Sequence, residues 1–169
     1  MKTRVVVVMH RREAITSSNT GRLAARVLEG ASVRVRGDLP EPGPLPEGRR
    51  LVLFPQVGAR LLEGADADPA RGPLVLLVPD GTWSQARRLL RRDDDLQGAE
   101  PVTLPPTAPS RYRLRRHVRE GGLCTLEAIA QALSVLEGAE VEERLMDVLD
   151  RFVARALQAR TGGATSAAP

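Results

Sequence analysis

Apolar residues along this chain follow two rhythms. Apolar runs at 5–9, 50–55 (after its leading Arg50) and 74–78 are rich in Val and Leu, which suits strands covered on both faces. Residues 31–35 alternate in character and 101–105 form a brief piece between prolines, so both read as further strands. The second rhythm is helical. A Ser/Asn/Thr cluster over 16–20 offers N-caps for a helix through Leu23, Ala24, Val27 and Leu28, which Gly30 ends. Residues 56–63 predict a short helix, and 83–90 a basic one with Trp83, Ala86 and Leu90 on its inner face. Thr125 is the expected N-cap of a helix carrying Ile129, Ala130, Leu133 and Leu136. A last amphipathic helix spans 141–159, its stripe formed by Leu145, Val148, Leu149, Phe152 and Leu157. Residues 38–48 carry four prolines and read as an irregular loop, 65–73 as a surface connection. The acids at 93–95 close the basic helix as its solvated end and loop. Strands alternating with helices predict a single α/β domain over residues 1–160, with a mostly parallel sheet and helices on both faces. Residues 161–169, small and polar, are expected to be a disordered tail.

Length agrees with that picture, since 169 residues suffice for one domain with a core and are too few for two. Charge adds something new. Lys2 is the only lysine, so nearly every positive charge is arginine. A genomic bias in base composition explains most of that, yet a net charge of +4 and an isoelectric point near 10.4 suit a polyanionic partner. A lone cysteine, Cys124, rules out an internal disulfide and a cysteine-rich zinc site. His10 and His117 share no ligand-like spacing with it, so no metal is assigned. No apolar run is long enough for a membrane span, and no signal-peptide pattern opens the sequence; the cytoplasm is expected.

Candidate chemistry concentrates at Val78-Pro79-Asp80-Gly81-Thr82-Trp83, where a buried strand gives way to a helix. In open α/β sheets ligands bind at the carboxyl ends of strands. From position alone, Asp80 is either a catalytic carboxylate or the cap of the following helix, and Thr82 either a ligand contact or a cap. Trp83 stacks on a base or anchors the core. Cys124 reads as a small buried residue.

Asp80-Gly81-Thr82-Trp83 resembles the D-x-T-W signature of the DTW-domain family. Three further blocks agree with it in order and spacing: Asn19-Thr20-Gly21-Arg22-Leu23, Ser110-Arg111-Tyr112-Arg113-Leu114-Arg115 and Cys124-Thr125-Leu126-Glu127-Ala128-Ile129-Ala130. Leu53-Phe54-Pro55 is also similar to the family's strand end, and the resemblance spans about residues 4–155. It implies a SPOUT-like fold with a C-terminal trefoil knot, which no sequence pattern would suggest unaided. It implies transfer of the 3-amino-3-carboxypropyl group of S-adenosylmethionine to N3 of a tRNA uridine, releasing methylthioadenosine. Many members carry a cysteine cluster resembling a zinc module before the first strand. This sequence holds none, so the RNA target is not carried over with the core.

Under that resemblance Asp80 is the general base that takes the uridine N3 proton. The cofactor is expected at the strand exits of Leu53, Phe54 and Pro55, of Val78 and Pro79, and of Leu104 and Pro105. Thr82, Trp83, Ser110, Tyr112, Arg113, Cys124 and Thr125 complete the expected cofactor site. RNA falls to Arg11, Arg22, Arg87, Arg111, Arg115 and Arg116, with Arg113 and Arg115 suited to either the cofactor carboxylate or an RNA phosphate. Glu127 most simply supports the start of its helix. The last helix packs on its own core, so a monomer is expected. Methyl transfer and a nonenzymatic RNA-binding domain are the competing functions, since fold alone does not choose the reaction.

Overall fold

The computed structural model describes residues 2–37, 43–106, 109–114 and 122–162. Strands β1 (Thr3–His10), β2 (Ser32–Arg36), β3 (Arg49–Leu53), β4 (Arg60–Leu61), β5 (Leu74–Asp80) and β6 (Glu100–Thr103) form one all-parallel sheet in the order β2-β1-β5-β3-β6-β4. The helices are α1 (Arg11–Ala14), α2 (Thr20–Val27), α3 (Trp83–Arg92), α4 (Asp94–Gln97), α5 (Thr125–Glu137) and α6 (Ala139–Gly162).

The unbroken apolar runs form strands because both sheet faces are covered. All seven residues of β5 are buried. Side chains alternate across the sheet with period two. Val5, Val7, Met9, Leu76 and Val78 join a core with Ala24 of α2, Ile129 and Leu133 of α5 and Leu149 of α6. Val6, Val8, Val75 and Leu77 join a smaller core with Leu89 of α3 and Leu96 of α4. Helices therefore lie on both faces, as expected.

The register places Met9 of β1 opposite Asp80 of β5. From β1 the chain turns to β2 on one side, and from β5 it runs to β6 on the other. Beyond the carboxyl ends of β1 and β5 this reversal opens a crevice where α/β sheets bind ligands.

Several local expectations are corrected. Residues 56–63 are not a helix: Gly58 (φ 83°) turns the chain, and Arg60 and Leu61 pair with Val102 and Thr103 of β6. The open edge of β6 offers hydrogen bonds that a short isolated helix could not match, and the Leu62 N–H donates to Thr103 O at 2.9 Å. Asp66, buried beside this edge, holds it through Arg49, Arg60 and Arg71. The basic helix buries Ala86 and Leu89 and leaves Leu90 only half-buried. Asp93 is no solvated end; it is buried and caps α4 through Leu96 N at 3.2 Å. The N-cap of α5 is Cys124, one residue before Thr125. The buried stripe of α6 is Leu145, Leu149 and Val153, while Leu157 stays 40% exposed. This helix continues through Gly162, so the expected tail loses its first two residues; 163–169 lie outside the described residues. Residues 107–108 and 115–121, in the half of the chain where a trefoil knot is expected, also lie outside them.

Among the described residues no helix is long and apolar enough to cross a membrane, and no three His, Cys, Asp or Glu are grouped as metal ligands.

Candidate active site

A cavity of about 660 Å³ opens beyond the carboxyl ends of β3, β5 and β6. Leu53, Phe54 and Pro55 wall it on one side, Leu104 and Pro105 on another, with Val78, Pro79 and Asp80 between. The amino ends of three helices reach it: Asn19 and Thr20 of α2, Thr82 and Trp83 of α3, Cys124 and Thr125 of α5. Helix amino ends present free N–H groups and partial positive charge. The charged side chains lining the cavity among the described residues are Glu13 and Asp80, both acids.

Asp80 is 2% exposed and does not cap α3. Thr82 does so, accepting from Gln85 N at 3.3 Å while Gln85 Oε1 accepts from Thr82 N at 2.6 Å. Gly81 (φ 136°) makes the turn, in a backbone region that other residues resist. The Asp80 carboxylate is thereby free for tertiary partners. Asn19 Nδ2 donates to Oδ2 at 2.5 Å and the Thr125 hydroxyl donates to Oδ1. Asn19 also caps α2, its Oδ1 accepting from Arg22 N at 2.7 Å. Close approach is allowed by Gly21: a Cβ there would lie 3.0 Å from the Asp80 carboxyl carbon and 2.9 Å from Val7 Cγ1.

Glu127 ties the remaining wall. It is buried and accepts from Ser110 Oγ, Arg111 N and Cys124 N at 2.6, 2.6 and 2.7 Å. Among the described residues its partner from the arginine-rich loop is the backbone amide of Arg111. Tyr112 N donates to Ser110 Oγ at 3.1 Å, and its hydroxyl to Ser18 O at 2.8 Å. With the peptide links 18–19 and 124–125, these bonds close a ring around the cavity. Burial, then the negative Glu127, pushes the Cys124 thiol up to about 12. Cys124 is therefore a protonated wall residue at neutral pH.

Phe54 and Trp83 form a tilted pair, centroids 5.2 Å apart at 58°, giving the cavity an aromatic edge. The structure thus brings Leu53, Phe54, Pro55, Val78, Pro79, Asp80, Thr82, Trp83, Leu104, Pro105, Tyr112, Cys124 and Thr125 to one cavity. It does not bring Ser110, which serves Glu127, or Arg113, which is exposed away from it. Arg22 is spent on α1, donating to Ala14 O, and Arg111 pairs with Asp150 at 3.2 Å. Arg11 and Arg87 are exposed. Arg115 and Arg116 lie outside the described residues. The sequence reading missed Glu13, Asn19 and Thr20 as lining residues, although the cap-forming cluster at 16–20 was the available signal.

Residues 1–157 match the model of the DTW domain. tRNA-uridine aminocarboxypropyltransferase 2 of Drosophila melanogaster is 38% identical over 87 residues, covering 52% of this chain and 34% of that protein. The Macaca fascicularis protein of the same name is 32% identical over 109 residues, covering 64% and 37%. The chain spans about a third of the length of these relatives. Among solved structures, the SAM-dependent rRNA:acp-transferase Tsr3 from Vulcanisaeta distributa superposes with a TM-score of 0.62 at 18% identity, covering 94% of this chain and 81% of that one. That likeness establishes a shared fold.

Proposed function

The chain belongs to the DTW-domain family, and from that premise we propose that it transfers the 3-amino-3-carboxypropyl group of S-adenosylmethionine to N3 of a uridine in tRNA. The observation that carries the reading is the cavity itself: Asp80 is buried in its wall, clamped by Asn19 and Thr125, at the carboxyl ends of the parallel strands. The names of the relatives support the reaction and the substrate. Within the same reading the C-terminal half is SPOUT-like and knotted, and the protein acts as a cytoplasmic monomer.

The cavity fits the donor. Its volume lies within the range of about 300–1,000 Å³ usual for small-molecule sites. Leu53, Phe54, Val78 and Leu104 offer apolar walls for an adenine. Glu13 and Asp80 suit a cationic sulfonium, and the amino ends of α2, α3 and α5 suit a carboxylate. When bound, S-adenosylmethionine supplies a carbon activated by its bond to sulfonium, with methylthioadenosine as the leaving group.

The residues do the rest. A uridine N3 is a poor nucleophile until its proton leaves, and Asp80 accepts that proton. Each carboxylate oxygen holds one donor from the protein and retains a lone pair for the substrate. Asn19 and Thr125 fix the plane of the carboxylate, which keeps it oriented before the uridine arrives. Trp83, half-buried against Phe54, presents a face on which the uracil stacks.

The test incubates the purified protein with unmodified tRNA and S-adenosylmethionine and analyses the digested nucleosides by mass spectrometry. Aminocarboxypropyl-uridine and methylthioadenosine are expected, falling by about 10²–10⁴-fold in Asp80→Asn. A methylated nucleoside with S-adenosylhomocysteine would overturn the transfer chemistry. RNA binding without cofactor binding would leave a nonenzymatic domain.

A further inference from the structure

We propose that a second cavity, on the far side of α3 from the first, seats backbone phosphates of the RNA strand that delivers the uridine; this rests on the functional reading above. Its volume is about 740 Å³, and His10, Arg12, Arg36, Gln85, Arg88 and Arg92 line it. The two cavities share a partition. Thr82, Trp83 and Ala86 of α3 face the first, while Gln85, Arg88 and Arg92 face the second. On α1, Glu13 lines the first and the preceding Arg12 the second. A strand whose base enters the first cavity therefore crosses the ridge of α1 and α3 into the second.

The charges divide in the same way. Among the described residues the first cavity is lined by two acids and no cation, the second by four arginines against Asp93 and Asp94. Asp93 is neutralised within the fold, paired with Arg36 and capping α4. Arg12, Arg88 and Arg92 have no ion-pair partner among the described residues. Arg88 and Arg92 stand four apart on one helix face, an arrangement that repels unless an anion lies between them. Arginine forks match phosphate oxygens in two-pronged fashion. His10 Nδ1 accepts from Arg12 N at 3.2 Å, which leaves its Nε2 as the donor. A nucleoside and its cofactor need few charges; a polyanion needs many, and the two cavities are divided along that line.

The test measures binding of labelled tRNA by anisotropy across a salt series, without cofactor, for the wild type, Arg88→Gln/Arg92→Gln, Arg12→Gln, and a control pair on α6, Arg144→Gln/Arg155→Gln. Two lost phosphate contacts reduce the slope of log affinity against log salt by about 2, so between 50 and 200 mM salt the wild type loses about 16-fold more affinity than the α3 pair. Arg12→Gln reduces the slope by about 1, and the α6 pair leaves it unchanged. Equal slopes for wild type and the α3 pair would overturn the proposal. So would displacement of tRNA by millimolar inorganic phosphate from wild type and variants alike, which indicates a small-anion site elsewhere. Cofactor binding and product formation are scored separately, so a failed transferase reading and a failed phosphate seat give different results.

Discussion

Gly21→Ala isolates the contact on which the candidate site depends. The added Cβ would sit 2.9 Å from Val7 Cγ1 and 3.0 Å from both the carboxyl carbon and Oδ2 of Asp80. Unstrained carbon contacts lie at about 3.5–4.0 Å, so the overlap is about 0.5–1 Å. Neither neighbour yields cheaply. Val7 is fully buried in β1, which is paired on both sides, and Asp80 is pinned by Asn19 and Thr125. Overpacking of this kind costs about 1–3 kcal/mol. Against it stands the helix preference of alanine over glycine, at most about 1 kcal/mol and less in a first turn such as this. The clash wins, and a net loss of about 1–2 kcal/mol is expected, which lowers the melting temperature by about 2–8 °C. Relief requires α2 to back away from the sheet, stretching the 2.5 Å bond from Asn19 to Asp80. Product formation should therefore fall by about tenfold or more, because a reacting group misplaced by a fraction of an ångström costs rate steeply.

Urea and thermal unfolding followed by Trp83 emission supply the stability, and nucleoside mass spectrometry the activity. Gly98→Ala is the matched control: its Cβ meets only Asp94 O at 3.4 Å, and its stability should stay within about 0.5 kcal/mol of wild type. If Gly21→Ala were as stable as the wild type or more so, and equally active, helix α2 would not be pressed against Asp80 and the geometry argued for the site would be wrong.

Two further outcomes bear on the frame around the site. Arg60, with Arg49 and Arg71 beside it, holds the Asp66 carboxyl below the ordinary carboxylate range. A depressed folded-state pKa contributes stability above about pH 4 that is lost as pH falls lower, so Asp66→Asn should cost about 2–3 kcal/mol at pH 7 and its urea midpoint should converge with wild type as pH drops toward 2. Parallel curves over that range would refute the assignment. Cys124, buried and pushed up to about 12 by burial and by Glu127, should resist a thiol reagent at pH 8 until urea unfolds the chain. Labelling of the native protein at the rate of a free thiol would show that the wall of the cavity opens.

The sequence made the sheet legible where both faces are covered, because an unbroken apolar run has few other uses: β1, β3 and β5 lie where the runs at 5–9, 50–55 and 74–78 place them. It hid β4, whose two residues depend on an edge that β6 supplies from forty residues away. It hid α1 and α4, each a single turn held by the cap of His10 or Asp93 rather than by periodicity. The strand-exit residues of the cavity were legible because parallel strands point their carboxyl ends one way. The ring around the cavity was not. Asn19 meets Asp80 across 61 residues, Thr125 across 45, and Tyr112 meets Ser18 across 94. Arg22 and Arg111 were legible as charges, but their partners Ala14 O and Asp150 were not, since the fold supplies them.

Asp80 shows how the fold separates two meanings that sequence leaves together. An aspartate before a helix is commonly its cap, yet here Thr82 and Gln85 satisfy the first turn of α3 between them. An aspartate relieved of that duty and left 2% exposed has two remaining uses: to clamp α2 to α5, or to take a proton. Asparagine at this position tells them apart. Its carbonyl still accepts from Asn19, and its amide donates to the Thr125 oxygen once that hydroxyl turns about its own bond, so the clamp keeps most of its bonds. The capacity to hold a proton from uridine N3 disappears. A pure clamp predicts Asp80→Asn to be nearly as active as wild type while Asp80→Ala, which frees both donors, unfolds more easily. A base predicts an Asp80→Asn protein that binds cofactor, melts within about 1 kcal/mol of wild type and makes almost no product.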